Sequence, residues 1–214
     1  MSKIKNEISF NLDSVYGSPL TRTGHFGIHY RQIPCVKCPF DYVLYQMIIM
    51  SVKPDLIIEI GTYKGGSALY YSDLLNLLGG LREVHTIDIE SNINSDLVKN
   101  NKSIKLFTEG FQNYDVSLIS NFSNIMIIDD GSHTYNDVID SLNKFSKYVP
   151  KGSYFIVEDG VITNLGLDQS FNGGPTRAIE EFITNDSSFS IDRNYCDFFG
   201  TNATFNPNGF LRKN

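Results

Sequence analysis

Four carboxylates stand at the ends of two apolar runs. Asp129 and Asp130 follow "IMII" at residues 125–128, and Glu158 and Asp159 follow "YFIV" at residues 154–157. His133 comes three residues after Asp130, in "IIDDGSH". No Lys or Arg lies in either "IIDDGSH" or "VEDG". Two carboxylates about 4 Å apart repel by roughly 4 kcal/mol at an effective dielectric of about 20. Gathered together, these acids need a proton or a bound cation. Oxygen ligands suit Mg²⁺, with Mn²⁺ or Ca²⁺ as alternatives. The plainer alternative is solvated acids at strand ends. His133 offers a neutral imidazole near pH 7, able to take a proton from a reacting hydroxyl. Its other reading is a residue that holds a carboxylate in place.

A second constellation lies upstream. "LIIEIGTYKGGSALYYSDLL" reads as strand, tight turn and helix, with the spacing E-x-G-x-x-x-G-G from Glu59 through Gly61 to Gly65 and Gly66. The dinucleotide fingerprint is absent, because Tyr63 stands where its second glycine would be, and no P-loop is present. Glu59 implies a cationic or donor-rich ligand end. Asp88, about 22 residues past Gly66, closes the second strand, where an acid takes ribose hydroxyls in nucleoside-binding sheets. An amino-acid-bearing nucleoside such as S-adenosylmethionine fits both. The expected cofactor set is Glu59, Gly61, Thr62, Tyr63, Gly65, Gly66, Ser67, Asp88, Gly110 and Asp129. A structural strand–helix turn with a surface acid is the alternative. His25, His29, Cys35 and Cys38 have roughly zinc-like spacing, but the span between the pairs is very short for a finger, and the cysteines also read as small apolar fillers. His85, inside a strand, reads as a packed core histidine.

The elements that must position these groups alternate. Strands are predicted at 56–60, 84–88, 104–108, 125–129 and 154–159, rich in Ile and Val and mostly not alternating, as in strands buried on both faces. Helices are predicted at 41–51, 67–78, 136–148 and 176–184, with a weaker one at 113–120. This order predicts an α/β fold with a doubly wound, mainly parallel sheet. Residues 198–214 read as a closing antiparallel hairpin with its turn at Asn206–Gly209. The Gly- and Asn-rich stretch 164–177 reads as a mobile loop. Residues 1–40 read as an N-terminal extension and 41–214 as a single domain. The extension and the loop at 160–175 are expected to border the substrate site, with an oligomer contact as the alternative role of the extension.

The 214 residues, 41% of them hydrophobic, suit one domain with a sizeable core. A net charge of -6 and no basic stripe argue against nucleic acid or an anionic membrane surface as partner. No apolar run is long enough to span a bilayer. Lys3 and Lys5 are not followed by an apolar signal core, and three cysteines do not make a secreted disulfide scaffold. The expectation is a cytoplasmic protein.

Taken together, "QIPCVKCPFDYVLYQMI", "PDLIIEIGTYKGGSALYYSDLL", "IDDGSHTYNDVIDSLNKFSKYVPKGSYFIVEDG", "GPTRAIEEF" and "TFNPNGFLRK" resemble the cephalosporin hydroxylase/rhamnosyl O-methyltransferase family over most of residues 25–213. The resemblance implies a class I methyltransferase fold, S-adenosylmethionine as cofactor, a sugar or other small-molecule acceptor, and a homo-oligomer. In the related macrolide-sugar O-methyltransferases a D-x-S-H motif gives a metal ligand and a catalytic histidine, and an E-D pair gives two more ligands. The resemblance thus implies Asp130, Glu158 and Asp159 as metal ligands and His133 as general base. Other members carry a carboxylate immediately before the histidine, where this chain has Ser132; Asp130 is taken as the first ligand, with Asp129 beside it or touching the cofactor. The alternatives are a catechol-type O-methyltransferase, a non-catalytic cofactor-binding paralogue and, against the missing fingerprint, an oxidoreductase.

Overall fold

The computed structural model describes residues 4–7 and 24–214. A short arm, β1 (His29–Tyr30) paired antiparallel with β2 (Ile33–Pro34), precedes α1 (Pro39–Val52). There follow β3 (Leu56–Ile60), α2 (Gly66–Leu78), β4 (Glu83–Ile87), α3 (Asp96–Lys99), β5 (Ile104–Phe107), β6 (Ile125–Asp129), α4 (Tyr135–Phe145), β7 (Tyr154–Val157), α5 (Val161–Asn164), α6 (Gly174–Asn185), β8 (Phe189–Ile191), α7 (Arg193–Cys196) and β9 (Phe210–Lys213).

One seven-stranded sheet takes the order β5-β4-β3-β6-β7-β9-β8. The first five strands are mutually parallel, and β9 runs antiparallel to both β7 and β8. Every residue of β3 and β6 is buried, so their unbroken Ile runs are what a sheet covered on both faces requires. α4 begins where the Thr134 side chain accepts from the Asp137 amide, an N-cap that satisfies an orphan donor. It buries Val138, Leu142 and Phe145 on one face, at helical spacing.

Register sets the site. Ile60 of β3 pairs with Ile87 of β4 and with Asp129 of β6, and Asp129 pairs with Val157 of β7. Four strands therefore end level. The next residues continue the ladder: the amides of Gly61, Asp130 and Glu158 donate to the carbonyls of Ile87, Ile60 and Asp129. One row across the sheet thus releases Asp88, Gly61, Asp130 and Glu158 side by side. The strand order reverses at β3, the place where open α/β sheets bind ligands.

Several sequence expectations shift. The C-terminal antiparallel pair is β8 with β9, not a hairpin within 198–214; residues 192–209 form α7 and turns between them. The stretch 113–120 is not one helix but two 3-10 segments, Phe111–Asn113 and Val116–Asn121, the second started by the Asp115 side chain accepting from Ser117. Residues 164–177, read as a loop, hold the end of α5, a 3-10 turn at Asp168–Phe171 and the start of α6, with Pro175 in the first turn of α6. His85 is a core residue as read: it meets the Tyr114 hydroxyl at 2.6 Å and Glu83 at 3.0 Å, and burial lowers its pKa. No helix of the described residues is long and apolar enough to cross a membrane.

Asp41, in the first turn of α1, is buried against the C-terminal segment. It accepts from Thr204 Oγ1 at 2.5 Å and from the Phe205 amide at 3.1 Å. Burial raises its carboxyl to about 7. A carboxyl raised above its unfolded value binds its proton more tightly when folded. Its contribution is full below the unfolded pKa and is lost as pH rises through about 7. The Tm is expected to fall between pH 5 and pH 8 by roughly 4–8 °C, on the order of 2 kcal/mol, through this group. Asp41→Asn removes that part of the slope. Equal slopes for both proteins in a pH series of melts count against it.

Candidate active site

The released row borders a cavity of about 680 Å³, within the usual size of a small-molecule site. Its wall on the β3–β4 side is the turn from Gly61 to Ser67. Gly61 has φ +94°, and a Cβ there would lie 2.0 Å from the Asp130 carbonyl. At Gly66 a Cβ would lie 2.3 Å from the Pro34 carbonyl. Both glycines are needed because protein backbone crosses there. Gly61 and Gly66 also line the cavity, with Thr62, Tyr63 and Ser67.

Asp88 lines the same wall. Its Oδ2 accepts from the amides of Thr62 and Tyr63 at 2.9 and 3.0 Å, and its Oδ1 from Ile89 at 2.8 Å. The acid fixes the turn and still faces the cavity. Gly110, with φ +75°, also lines it, its amide bonded to the Asp88 carbonyl. Two members of the expected set do not reach the wall. Glu59 is buried behind it, with Oε2 accepting from Thr86 at 2.6 Å and Oε1 left without a protein partner. Burial raises its carboxyl to about 7. Gly65 packs toward Val98 and serves as the left-handed N-cap of α2.

The acids of β6 and β7 line the same cavity. Asp129 accepts from the hydroxyl of Ser141 and from the Gly131 amide, and burial raises it to about 6. His133, at φ +58°, places Nε2 3.1 Å from Asp159 Oδ2 and 3.9 Å from Asp130 Oδ1. Asp159 sits at φ +56°, with its amide held by Asn206 Oδ1 at 3.1 Å. Asn206 is held in turn by the Tyr45 hydroxyl at 3.0 Å. One donor atom each from Asp130, His133 and Asp159 falls within 4.8 Å of the others, the one such metal-competent group among the described residues. The zinc-like set is not such a group: His29 Nδ1 bonds the Gly27 carbonyl, and Cys35 and Cys38 are buried thiols.

The expectation that the acids have no basic partner is overturned. Lys37, 2% exposed, puts Nζ 2.8 Å from Asp130 Oδ2 and 2.5 Å from Glu158 Oε1. Burial works against its charge, but Asp130 and Glu158 outweigh it and hold the ammonium above its ordinary range. Burial and the charge of Asp130 push the Glu158 carboxyl up. Lys37, Asn206 and Tyr45 were missed as site residues. All three lie in segments quoted for the family resemblance, "PCVKCPFDYVLYQMI" and "TFNPNGF", whereas Lys37 is separated from Asp130 and Glu158 by 93 and 121 positions. The segment carrying Lys37 also supplies cavity wall, with His25, Phe26 and Phe205 nearby. Residues 160–175 do not line the cavity; their Phe171 ring lies 6.5 Å from the His133 ring.

Five parallel strands, a reversed β9 and a cleft at the switch point define the class I methyltransferase fold. The family model described as rhamnosyl O-methyltransferase/CmcI matches residues 25–214, and the chain belongs to that family. It is 29% identical over 205 residues to a rhamnosyl O-methyltransferase of Mycobacterium bovis, covering 91% of this chain and 79% of the relative. A rhamnosyl O-methyltransferase of Mycobacterium leprae is 29% identical over 189 residues, with 84% and 80% covered. Among solved structures, CmcI with SAH superimposes with a TM-score of 0.67 at 20% identity, covering 99% of this chain and 96% of that one. CmcI with Mg and SAM gives 0.65 at 21% identity, covering 99% and 88%.

Proposed function

We propose that the protein is an S-adenosylmethionine-dependent, divalent-metal-dependent O-methyltransferase acting on a sugar hydroxyl, free or on a glycosylated metabolite. The observation that carries the reading is the placement of Asp130, His133 and Asp159, with donor atoms within 4.8 Å, in one cavity with Asp88 and the Gly61–Ser67 turn. The names of the relatives, rhamnosyl O-methyltransferases, point to the same acceptor class.

The residues present fit both absent groups. The Lys37 ammonium pairs with Asp130 and Glu158 while Asp159, among the described residues, pairs only with His133, so the edge keeps an excess of oxygen donors for a hard cation. When bound, the cofactor supplies the methyl group and the divalent ion makes the acceptor hydroxyl more acidic. Asp130, through the oxygen not taken by Lys37, and Asp159 would hold the ion with Glu158. Asp88, already fixing the turn, would accept from ribose hydroxyls with its remaining lone pairs. His133 would take the hydroxyl proton, and the flanking carboxylates of Asp130 and Asp159 would stabilise the imidazolium formed. Phe26, 62% exposed, and Phe205 would offer apolar faces to a sugar ring.

The experiment is a panel of rhamnosides, nucleotide sugars and a catechol incubated with S-adenosylmethionine and Mg²⁺. Methylated deoxysugar, read by mass, is expected. Preferential turnover of the catechol favours the catechol-type alternative, and cofactor binding without any transfer favours a non-catalytic paralogue. Asp88→Ala is expected to weaken S-adenosylmethionine binding by roughly 1–3 kcal/mol, the cost of polar groups left unpaired. Wild-type affinity of that variant in calorimetry removes Asp88 from the cofactor site.

A further inference from the structure

We infer that Lys37 is a resident cation of the acidic edge that competes with the divalent ion and thereby sets how tightly that ion is held. The inference rests on the metal-dependent reading above and adds a residue that reading did not contain.

Three observations carry it. First, the ammonium is enclosed and doubly engaged, 2.8 Å from Asp130 Oδ2 and 2.5 Å from Glu158 Oε1, with the Lys37 side chain 1% exposed. Second, it touches two of the carboxylates proposed to hold the ion, and on Asp130 it takes the oxygen turned away from the metal-competent group: Oδ1 faces His133 at 3.9 Å while Oδ2 faces Lys37. Ammonium and metal would share Asp130 from opposite sides. Third, Lys37 has little freedom to leave. Its segment is pinned where the Pro34 carbonyl crosses Gly66, where Tyr42 donates to the Cys35 carbonyl at 3.2 Å, and where Cys35 and Cys38 are buried on either side. A fixed positive charge a few ångströms from a divalent ion repels it, and burial screens that repulsion poorly. Without the ammonium, the three carboxylates would hold the ion more tightly and would repel one another more when the ion is absent. Lys37 acts through these carboxylates and is a positioning residue.

The test is titration of Mn²⁺, read by the EPR signal of the free ion, with S-adenosylmethionine present, on wild type, Lys37→Met and Lys37→Arg. Lys37→Met is expected to bind Mn²⁺ about 10–100-fold more tightly. Its metal-free form should melt below wild type, and Mg²⁺ should raise its Tm by more than it raises that of wild type. Lys37→Arg, which keeps the charge, should stay within about threefold of wild type. Unchanged or weaker Mn²⁺ binding by Lys37→Met overturns the inference while leaving the metal reading intact. No Mn²⁺ binding by wild type or variant overturns both. Should Lys37→Met not fold, the ¹⁵N signal of the protected ammonium in wild type decides. It is expected to move on Mg²⁺ addition, and a stationary signal overturns the inference.

Discussion

Replacing His133 by alanine is expected to lower kcat by about 10²–10⁴-fold, the usual contribution of a general base, with S-adenosylmethionine affinity unchanged. The imidazole borders the cavity, and Nε2 lies 3.1 Å from Asp159 and 3.9 Å from Asp130. That position serves two roles, proton acceptor or metal donor, and one nitrogen cannot fill both at once. The two separate in measurement. A base predicts that Mn²⁺ affinity changes little while kcat collapses. A ligand predicts that Mn²⁺ affinity falls with kcat. If cofactor affinity is what falls, His133 belongs to the cofactor pocket and the base lies elsewhere.

Chelation of divalent ions should abolish turnover, and Mg²⁺ should restore it, with cofactor affinity little changed because the acids of the metal-competent group make none of the bonds that fix the Thr62–Tyr63 turn to Asp88. Asp159→Asn is the matching variant. Its left-handed backbone, φ +56°, is one that asparagine adopts readily, so the change alters charge more than fold. It should weaken Mn²⁺ binding by roughly tenfold or more, a loss of at least about 1.4 kcal/mol, and depress turnover at limiting metal. Activity that survives exhaustive chelation sinks the metal reading.

The parallel sheet was legible because its strands carry their burial in composition. "LIIEI" and "IMIID" are almost wholly apolar and buried along their whole length, and the residues that follow them, Gly61 and Asp130, stand in the level row from which the site is built. Asp88, Asp130, His133 and Asp159 could be read for the same reason: each follows a strand at the same edge. Lys37 could not, since its partners lie 93 and 121 positions away and no local pattern marks it. Glu59 stands back from the cavity wall with Thr86 against it, a partner on the neighbouring strand that no local pattern marks. The C-terminal antiparallel pair and the turn at Asn206–Gly209 were legible, but the pair's first strand lies further upstream than "NPNG" suggests, since β9 finds its partners in β7 and β8. Turn chemistry is local; strand pairing is settled by the rest of the sheet.

The long reach of Lys37 also orders events in time. On a ribosome adding roughly 5–20 residues per second, this lysine emerges on the order of ten seconds before Glu158. Until β6 and β7 form, its ammonium has only water to hold it, and enclosing it early would bury an unpaired charge. Docking of the segment around Lys37 is a closure over 93 and 121 positions, costly in chain entropy until the sheet is in place. A chain that lacks β7 and the residues after it lacks Glu158 and Asp159, so the acidic edge is completed only from the C-terminal half of the sequence.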